Sequence, residues 1–189
     1  AAVVAGNVET SQHVTNALFG ALGAIAASQG TMNNLTFGNE TYQYYETLCS
    51  GSPAGIFNDG SGFDGTDAVH VHMTNSRLTD PEILETRYPV LLEDFHIREK
   101  SGGRGKWSAG NGTKRTIRFL EKMDCAILSS HRTIRPHGLE GGEAGELGQT
   151  IVRRLDGRLE DLGGCGQTVL EAGEAVTVVT PTGGGFGQA

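Results

Sequence analysis

The chain has no long hydrophobic run. Its richest apolar stretch, Ala17 to Ala27, is 11 residues long and broken by Gly20 and Gly23, short of the roughly 20 residues that a membrane-spanning helix needs. It has no excess of positive charge either. Its 15 Lys and Arg stand against 22 Asp and Glu, a formal net charge of −7. Nothing is left over to neutralise a phosphate backbone, which excludes a nucleic-acid binder. Cysteine is scarce: Cys49, Cys125 and Cys165 lie far apart with no C-x-x-C. An odd, dispersed set describes neither a disulfide framework nor a zinc knuckle, and it reads as the reduced thiols of a cytosolic protein. The N-x-[ST] tripeptides beginning at Asn34, Asn39 and Asn111 carry no weight in that compartment. The chain begins Ala1-Ala2-Val3, without an initiator Met, a basic stretch or a long apolar stretch, and so reads as a piece of a longer polypeptide rather than as a signal peptide.

Several chemical motifs are missing too. There is no G-x-x-x-x-G-K-[ST], no G-x-S-x-G and no cysteine beside a histidine. The terminal Gly183-Gly184-Gly185-Phe186-Gly187 follows an extended run but precedes no helix, so it lacks the helix N-terminus that would receive a phosphate. This chain is therefore expected to bind no nucleotide and to carry no local nucleophile motif.

What the chain has in plenty is glycine, 29 of 189 residues, roughly twice the usual ~7% share. With no collagen period, these glycines suggest tight turns between short strands. At 189 residues the length suits one domain. Val14, Leu18, Leu22 and Ile25 recur on one helical face and predict a helix from Glu9 to Ala27, with Thr10 or Ser11 as N-cap and Gln29-Gly30 as the stop. Gly20 and Gly23 within it suit close packing against a sheet or another helix. Met32–Phe37 and Tyr42–Cys49 read as a hairpin across Gly38–Thr41. Residues 50–68 read as a loop, Thr66–Met73 as a strand by its alternation, Pro81–Thr86 as a helix and Tyr88–Arg98 as extended. From Ser101 onward, extended runs at Arg115–Leu120, Cys125–Ser130, Thr150–Leu155, Thr168–Leu170 and Ala175–Thr180 alternate with glycine-rich turns. The expected class is α+β and β-rich: an N-terminal helix packed on strands, then a β-sandwich or barrel-like half. We read residues 1–189 as one domain, with a helix-containing half at 1–100 and a β-rich half at 101–189.

The most chemical-looking segment is Phe63 to Arg77. On a strand, His70 and His72 face one side, where two imidazoles bind a metal or move protons. Asp67 joins them only if the chain turns first. H-x-H alone is equally a pair of histidines holding the Asp-rich loop. Arg77 has a bland explanation in pairing with Asp80 or Glu82. Arg98, Lys100, Arg104, Lys106, Lys114, Arg115 and Arg118 form a basic strip beside one acid, Glu99. With Trp107 inside it, the strip is either a solvated face or a docking face for an acidic partner or an anionic ligand.

Longer blocks carry a resemblance. Ala1–Gln12, Ser28–Asn34, His70–Asn75, Leu78–Glu85, Arg87–Val90 and Thr180–Gly185 resemble, in order and over essentially the whole chain, signatures of the hydantoinase B/oxoprolinase family. The resemblance implies the C-terminal portion of a hydantoinase-B-type subunit or of a 5-oxoprolinase. Such enzymes use ATP to open a lactam or hydantoin ring, turning 5-oxo-L-proline into L-glutamate; acetone carboxylases are relatives with other chemistry. It implies that ATP is handled by a hydantoinase-A-type subunit or domain, and that a divalent metal is held by an N-terminal portion of the B-type subunit. Both would be partners missing from this chain, which is then expected not to turn over alone and to bind no cofactor itself. An unstrained amide resists hydrolysis until its oxygen is activated, so the site needs an acid/base group and donors for developing negative charge. Within this chain those groups are expected to be His70, His72, Asn75 and Arg77. A non-catalytic scaffold that packs the metal-bearing portion against the ATP-using subunit is the competing expectation.

Overall fold

In the computed structural model the described residues are 6, 8–72 and 76–189. Eleven strands and two helices follow one another as α1 (Glu9–Ala21), β1 (Asn34–Gly38), β2 (Gln43–Glu46), β3 (Gly55–Ile56), β4 (Gly62–Phe63), α2 (Pro81–Arg87), β5 (Val90–Ile97), β6 (Thr113–Phe119), β7 (Met123–Leu128), β8 (Gln149–Arg153), β9 (Leu159–Asp161), β10 (Cys165–Leu170) and β11 (Ala175–Val179). One antiparallel sheet runs β10-β7-β1-β2 and another β5-β6-β11-β8-β9, with β3-β4 a small separate hairpin. The first hundred residues and the rest interleave, because β1 pairs with β7 and β5 with β6. The fold is α+β and β-rich, with open sheets and no closed barrel.

Alternation explains the two layers. In β7 the buried Met123, Cys125 and Ile127 alternate with Asp124, Ala126 and Leu128, so every second residue points to one face. Those three meet Leu35 and Phe37 of β1, Ile117 and Phe119 of β6, Val176 and Val178 of β11, Val152 of β8 and Leu84 of α2 in a single apolar cluster. Phe37 packs edge-on against Phe119 with centroids 5.2 Å apart, a favoured aromatic geometry. Burial here holds the Cys125 thiol pKa up at about 12, which makes it inert.

The helix ends differ from the expectation at α1 and agree at α2. The Asp80 side chain accepts from the Glu82 backbone N–H at 3.0 Å with Pro81 at the first helical position, as the N-cap and proline signals foretell. For α1 the N-cap is Val8, with no side-chain cap; Ser11 instead donates to the Val8 carbonyl. It stops at Ala21, not Ala27. Ala24 N–H reaches Phe19 O and Gly23 N–H reaches Gly20 O, both at 3.1 Å, with Gly23 at φ +65°. This left-handed closure ends the helix, so Ile25 leaves the helical face and bridges Gly55 instead. Gly20 closes on the His137 ring rather than on a sheet.

Most glycines serve close backbone packing rather than turns. A Cβ on Gly51 would sit 1.7 Å from Gly110 O, and one on Gly185 would sit 2.2 Å from Arg104 O. The segments around 51–53, 65–67, 102–112, 138–145 and 183–187 therefore pack backbone on backbone. This web fills Gly183–Gly185 with protein atoms, so no phosphate cradle forms there. Trp107 belongs to the web as well: its backbone exchanges hydrogen bonds with Phe186, and its ring lies on Gly62.

The basic strip divides in space. Arg115 is buried and bonded to Glu46, Arg98 pairs with Glu146, Lys114 with Asp94 and Arg118 with Glu93. Acids from other segments neutralise these four, whereas Lys100, Arg104 and Lys106 are exposed with no ion pair among the described residues.

Candidate functional site

The segment expected to be a strand from Thr66 to Met73 is a turn-rich loop over its described part. Val69 makes one isolated bridge to Ser50, Ala68 has φ 50° and His72 has φ 60°. The strand argument that put His70 and His72 on one face therefore fails, because a left-handed residue breaks the alternation. The chain does turn at Asp67–Ala68, but Asp67 is engaged elsewhere: its carboxylate accepts from the Asn111 N–H at 2.6 Å and from Asn111 Nδ2 at 3.2 Å. Arg77 is exposed and makes no ion pair with Asp80 or Glu82. Asn75 lies outside the described residues. His70 is half-buried, and its Nδ1 is buried without a partner among the described residues.

His72 is the member of the set with a defined environment. Its Nε2 lies 3.2 Å from Asn16 Oδ1 and its ring centroid 5.7 Å from that of Phe19. Asn16 Oδ1 also accepts from the Ser28 N–H at 3.0 Å, which fixes that atom as the oxygen. An oxygen there can only accept, so His72 carries its proton on Nε2 and keeps its lone pair on Nδ1. Burial lowers the His72 pKa below the ordinary imidazole value, and the same holds for His70. Both rings are neutral at neutral pH.

Asn16 belongs to a polar inner face of α1 that sequence periodicity does not reveal. Gln12, fully buried, donates to Val71 O at 3.0 Å. Glu9 Oε1 accepts from Thr31 Oγ1 at 2.7 Å, Met32 N–H at 3.1 Å and Asn34 Nδ2 at 3.2 Å. Ser130 Oγ lies 3.1 Å from both Glu9 Oε2 and Gly30 O. Those two can only accept, so the hydroxyl proton is committed to them. His13 Nε2, also 3.1 Å from Ser130 Oγ, then donates to it.

Beside His13 stands His131, with ring centroids 5.4 Å apart. Its Nδ1–H donates to Ile134 O at 2.7 Å, while Nε2 is buried without a partner among the described residues. Burial, first of all, lowers this pKa too. Gly30 makes room for the pair: it has φ +60°, and a Cβ there would lie 2.7 Å from His131 Nε2. Arg132 closes the floor by donating to Ser130 O and Asn33 Oδ1, and burial pulls its guanidinium pKa down to about 10, still charged at pH 7.

The structure thus gathers Glu9–Asn16, Ser28–Asn34, Val71–His72 and Ser130–Arg132 around one helix. The second and third fall within the blocks that carry the family resemblance and the first overlaps them at Glu9–Gln12 only; His13–Asn16 and the fourth segment lie outside them, and no motif marks them. The assembly offers the neutral imidazoles of His72 and His131 with defined tautomers, one engaged carboxylate and a serine hydroxyl. Among the described residues, no three His, Cys, Asp or Glu side chains converge as a metal site, and no helix is long and apolar enough to cross a membrane.

Comparisons with known proteins agree with these blocks. The hydantoinase B/oxoprolinase family model matches residues 1–189. The chain is 48% identical over 187 residues to the 5-oxoprolinase of Dictyostelium discoideum, covering 99% of this chain and 14% of that protein. It is 49% identical over 188 residues to 5-oxoprolinase 1 of Arabidopsis thaliana, covering 100% of this chain and again 14% of the relative. The chain thus spans about one seventh of the length of these relatives. Among solved structures, the ATP-dependent caprolactamase from Pseudomonas jessenii matches with a TM-score of 0.72 at 23% identity, covering 87% of this chain and 30% of that one; at that identity the likeness is one of fold. The chain belongs to the hydantoinase B/oxoprolinase family.

Proposed function

We propose that residues 1–189 form part of a larger ATP-dependent cyclic-amide hydrolase that opens 5-oxo-L-proline to L-glutamate, and that His72 supplies its proton-accepting group. The observation behind this reading is the meeting of three of the resembling blocks at α1, with a neutral His72 whose Nε2–H is tied to Asn16. A tethered neutral imidazole with its lone pair on Nδ1 suits general-base activation of water at neutral pH. His70, Asn75 and Arg77 are, in this reading, further groups of the same site, with the exposed Arg77 cation stabilising negative charge that develops on the lactam carbonyl oxygen. The identities to two 5-oxoprolinases favour 5-oxoproline over hydantoins or ketones as substrate. ATP and a divalent metal belong, in this reading, to the rest of the enzyme: a hydantoinase-A-type subunit or domain and a portion N-terminal to this chain. Free Cys49, Cys125 and Cys165 fit a cytosolic location, and the proposed substrate, 5-oxoproline, makes this reading one of glutathione metabolism.

A second reading, a scaffold that docks other parts of the same enzyme, is favoured by the outward apolar face of α1. The test of the first reading is a turnover assay of the full-length polypeptide with its partner, given ATP and, in separate reactions, 5-oxoproline, hydantoin and acetone. Glutamate formed in step with ADP supports it. Turnover of another substrate with no glutamate formed contradicts it.

A further inference from the structure

Helix α1 is inside out. Its buried residues are Gln12 and Asn16, whereas Val14, Leu18 and Leu22, the last at the C-cap, are 62%, 58% and 69% exposed. Ala17 and Ala21 are exposed beside them. Positions 14, 17, 18, 21 and 22 repeat the i, i+3, i+4, i+7, i+8 stripe by which helices normally bury themselves in a core. Here the stripe faces away from the molecule while the polar face is sealed inside by hydrogen bonds.

Charge sharpens the contrast. From Thr10 to Asn39 the chain contains no Asp, Glu, Lys or Arg. The one charged residue of α1, Glu9, spends its carboxylate inward on Thr31, Asn34 and Ser130. By comparison, α2 buries Leu84 and carries Glu82, Glu85 and Arg87 on its exposed sides. No side chain caps α1, and no basic residue sits in its last turn, so packing rather than local propensity must hold it. Water is a poor final environment for this face, and a charged partner finds nothing on it to pair with. Ala17 and Ala21 between the larger residues leave a shallow groove in which a second helix can lie at ordinary interaxial distance.

We propose that this stripe is a buried helix–helix seam in the complete protein, and that its occupant is an apolar helix of the same polypeptide outside residues 1–189. The inference rests on the reading that the chain is part of a longer polypeptide and on nothing about its substrate. The matched 5-oxoprolinases carry 86% of their length outside the matching part, and the caprolactamase chain 70% of its own, so covering chain is abundant. Tethered on the same polypeptide, such a segment acts at millimolar-scale effective concentration, ahead of a second copy.

The test uses the full-length polypeptide with the exposed Cys165 replaced by serine and Leu18→Cys introduced. Labelling by a maleimide is timed in native buffer and in denaturant. The expected result is native labelling at least about 100-fold slower than denatured, as for a group that reacts only through opening of the structure; labelling within a few-fold of the denatured rate overturns the seam. A photoreactive benzoylphenylalanine at Leu22 then names the occupant. A cross-linked peptide from outside residues 1–189, in a species of monomer mass, supports the proposal. A link between two copies of α1, or to a different polypeptide, overturns it. Neither readout depends on turnover, so failure of the 5-oxoprolinase reading and failure of the seam are separately visible.

Discussion

Replacing Arg115 with methionine tests the account of the core most severely. The Arg115 side chain is 2% exposed and that of its partner Glu46 3%, with Nε donating to Oε1 at 3.0 Å. The guanidinium also lies 5.3 Å from the centroid of Phe95. Glu46 Oε2 accepts from the Tyr44 hydroxyl at 2.9 Å, and burial together with this carboxylate pushes the Tyr44 pKa up to about 12. In Arg115→Met the Glu46 carboxylate loses its counter-charge in a dry site, a change that costs about 3–5 kcal/mol. At an m-value of about 2 kcal/mol/M in urea, that is a fall in midpoint of about 1.5–2.5 M. The double variant Arg115→Met with Glu46→Leu removes both charges at similar volume and should recover most of the loss, since a buried ion pair is poor evidence for net stability. Burial already raises the Glu46 pKa. A raised carboxylate pKa gives stability that is lost as pH rises through it, so the Arg115→Met deficit should shrink on acidification. Urea titration followed by fluorescence of Trp107, the one tryptophan of residues 1–189, measures the parent and both variants. A single-variant loss below about 0.5 kcal/mol, or a double variant as damaged as the single, would refute the buried pair.

Gly30→Ala should lower the melting temperature by several degrees, about 1–3 kcal/mol for a left-handed non-glycine residue, because φ +60° strains a residue with a Cβ and the His131 ring leaves it no room; an unchanged melting temperature refutes the described contact. The pH profile follows from the lowered values of His70, His72 and His131. The unfolded chain takes up protons near pH 6.5 while these folded sites do not, so their contribution is complete above about 6.5 and lost below it, toward the folded values. The melting temperature is therefore expected to hold from pH 8 to 7 and to fall below about 6.5, with a shallower fall in His131→Gln; a flat profile down to pH 5.5 contradicts this.

Local signals in the sequence were reliable where local physics decides the outcome. Asp80-Pro81 marks the start of α2, and the alternating runs in the second half appear as β6, β7, β8, β10 and β11 with small shifts at their ends. Strand β9 (Leu159–Asp161) escapes because it is a short, mostly exposed edge with no apolar alternation. The apolar row of α1 was legible, but its direction was not: which face turns inward depends on Gln12 and Asn16 finding Val71, Ser28 and His72, contacts distant in sequence. The glycines misled for a related reason. Turn chemistry is a local property, whereas the approach of Gly51 to Gly110 joins segments far apart in the chain. Of the residues gathered around α1, His72 stands in the H-x-H motif, Glu9 and Ser28 lie within the blocks that carry the resemblance, and Asn16 lies between them without a signal. Ser130, His131 and Arg132 had no sequence signal. Arg115 looks in sequence like part of a charged strip because its partner acid, Glu46, lies on another sheet.

His72→Gln in the full-length polypeptide with its partner tests the proposal that the α1-centred assembly presents His72 to a cyclic amide. Glutamine at this position still offers an N–H to Asn16 but cannot accept a proton at neutral pH. The account predicts a fall in ATP-dependent glutamate formation of at least about tenfold in kcat, with an unchanged melting temperature. Turnover equal to that of the parent enzyme would contradict it.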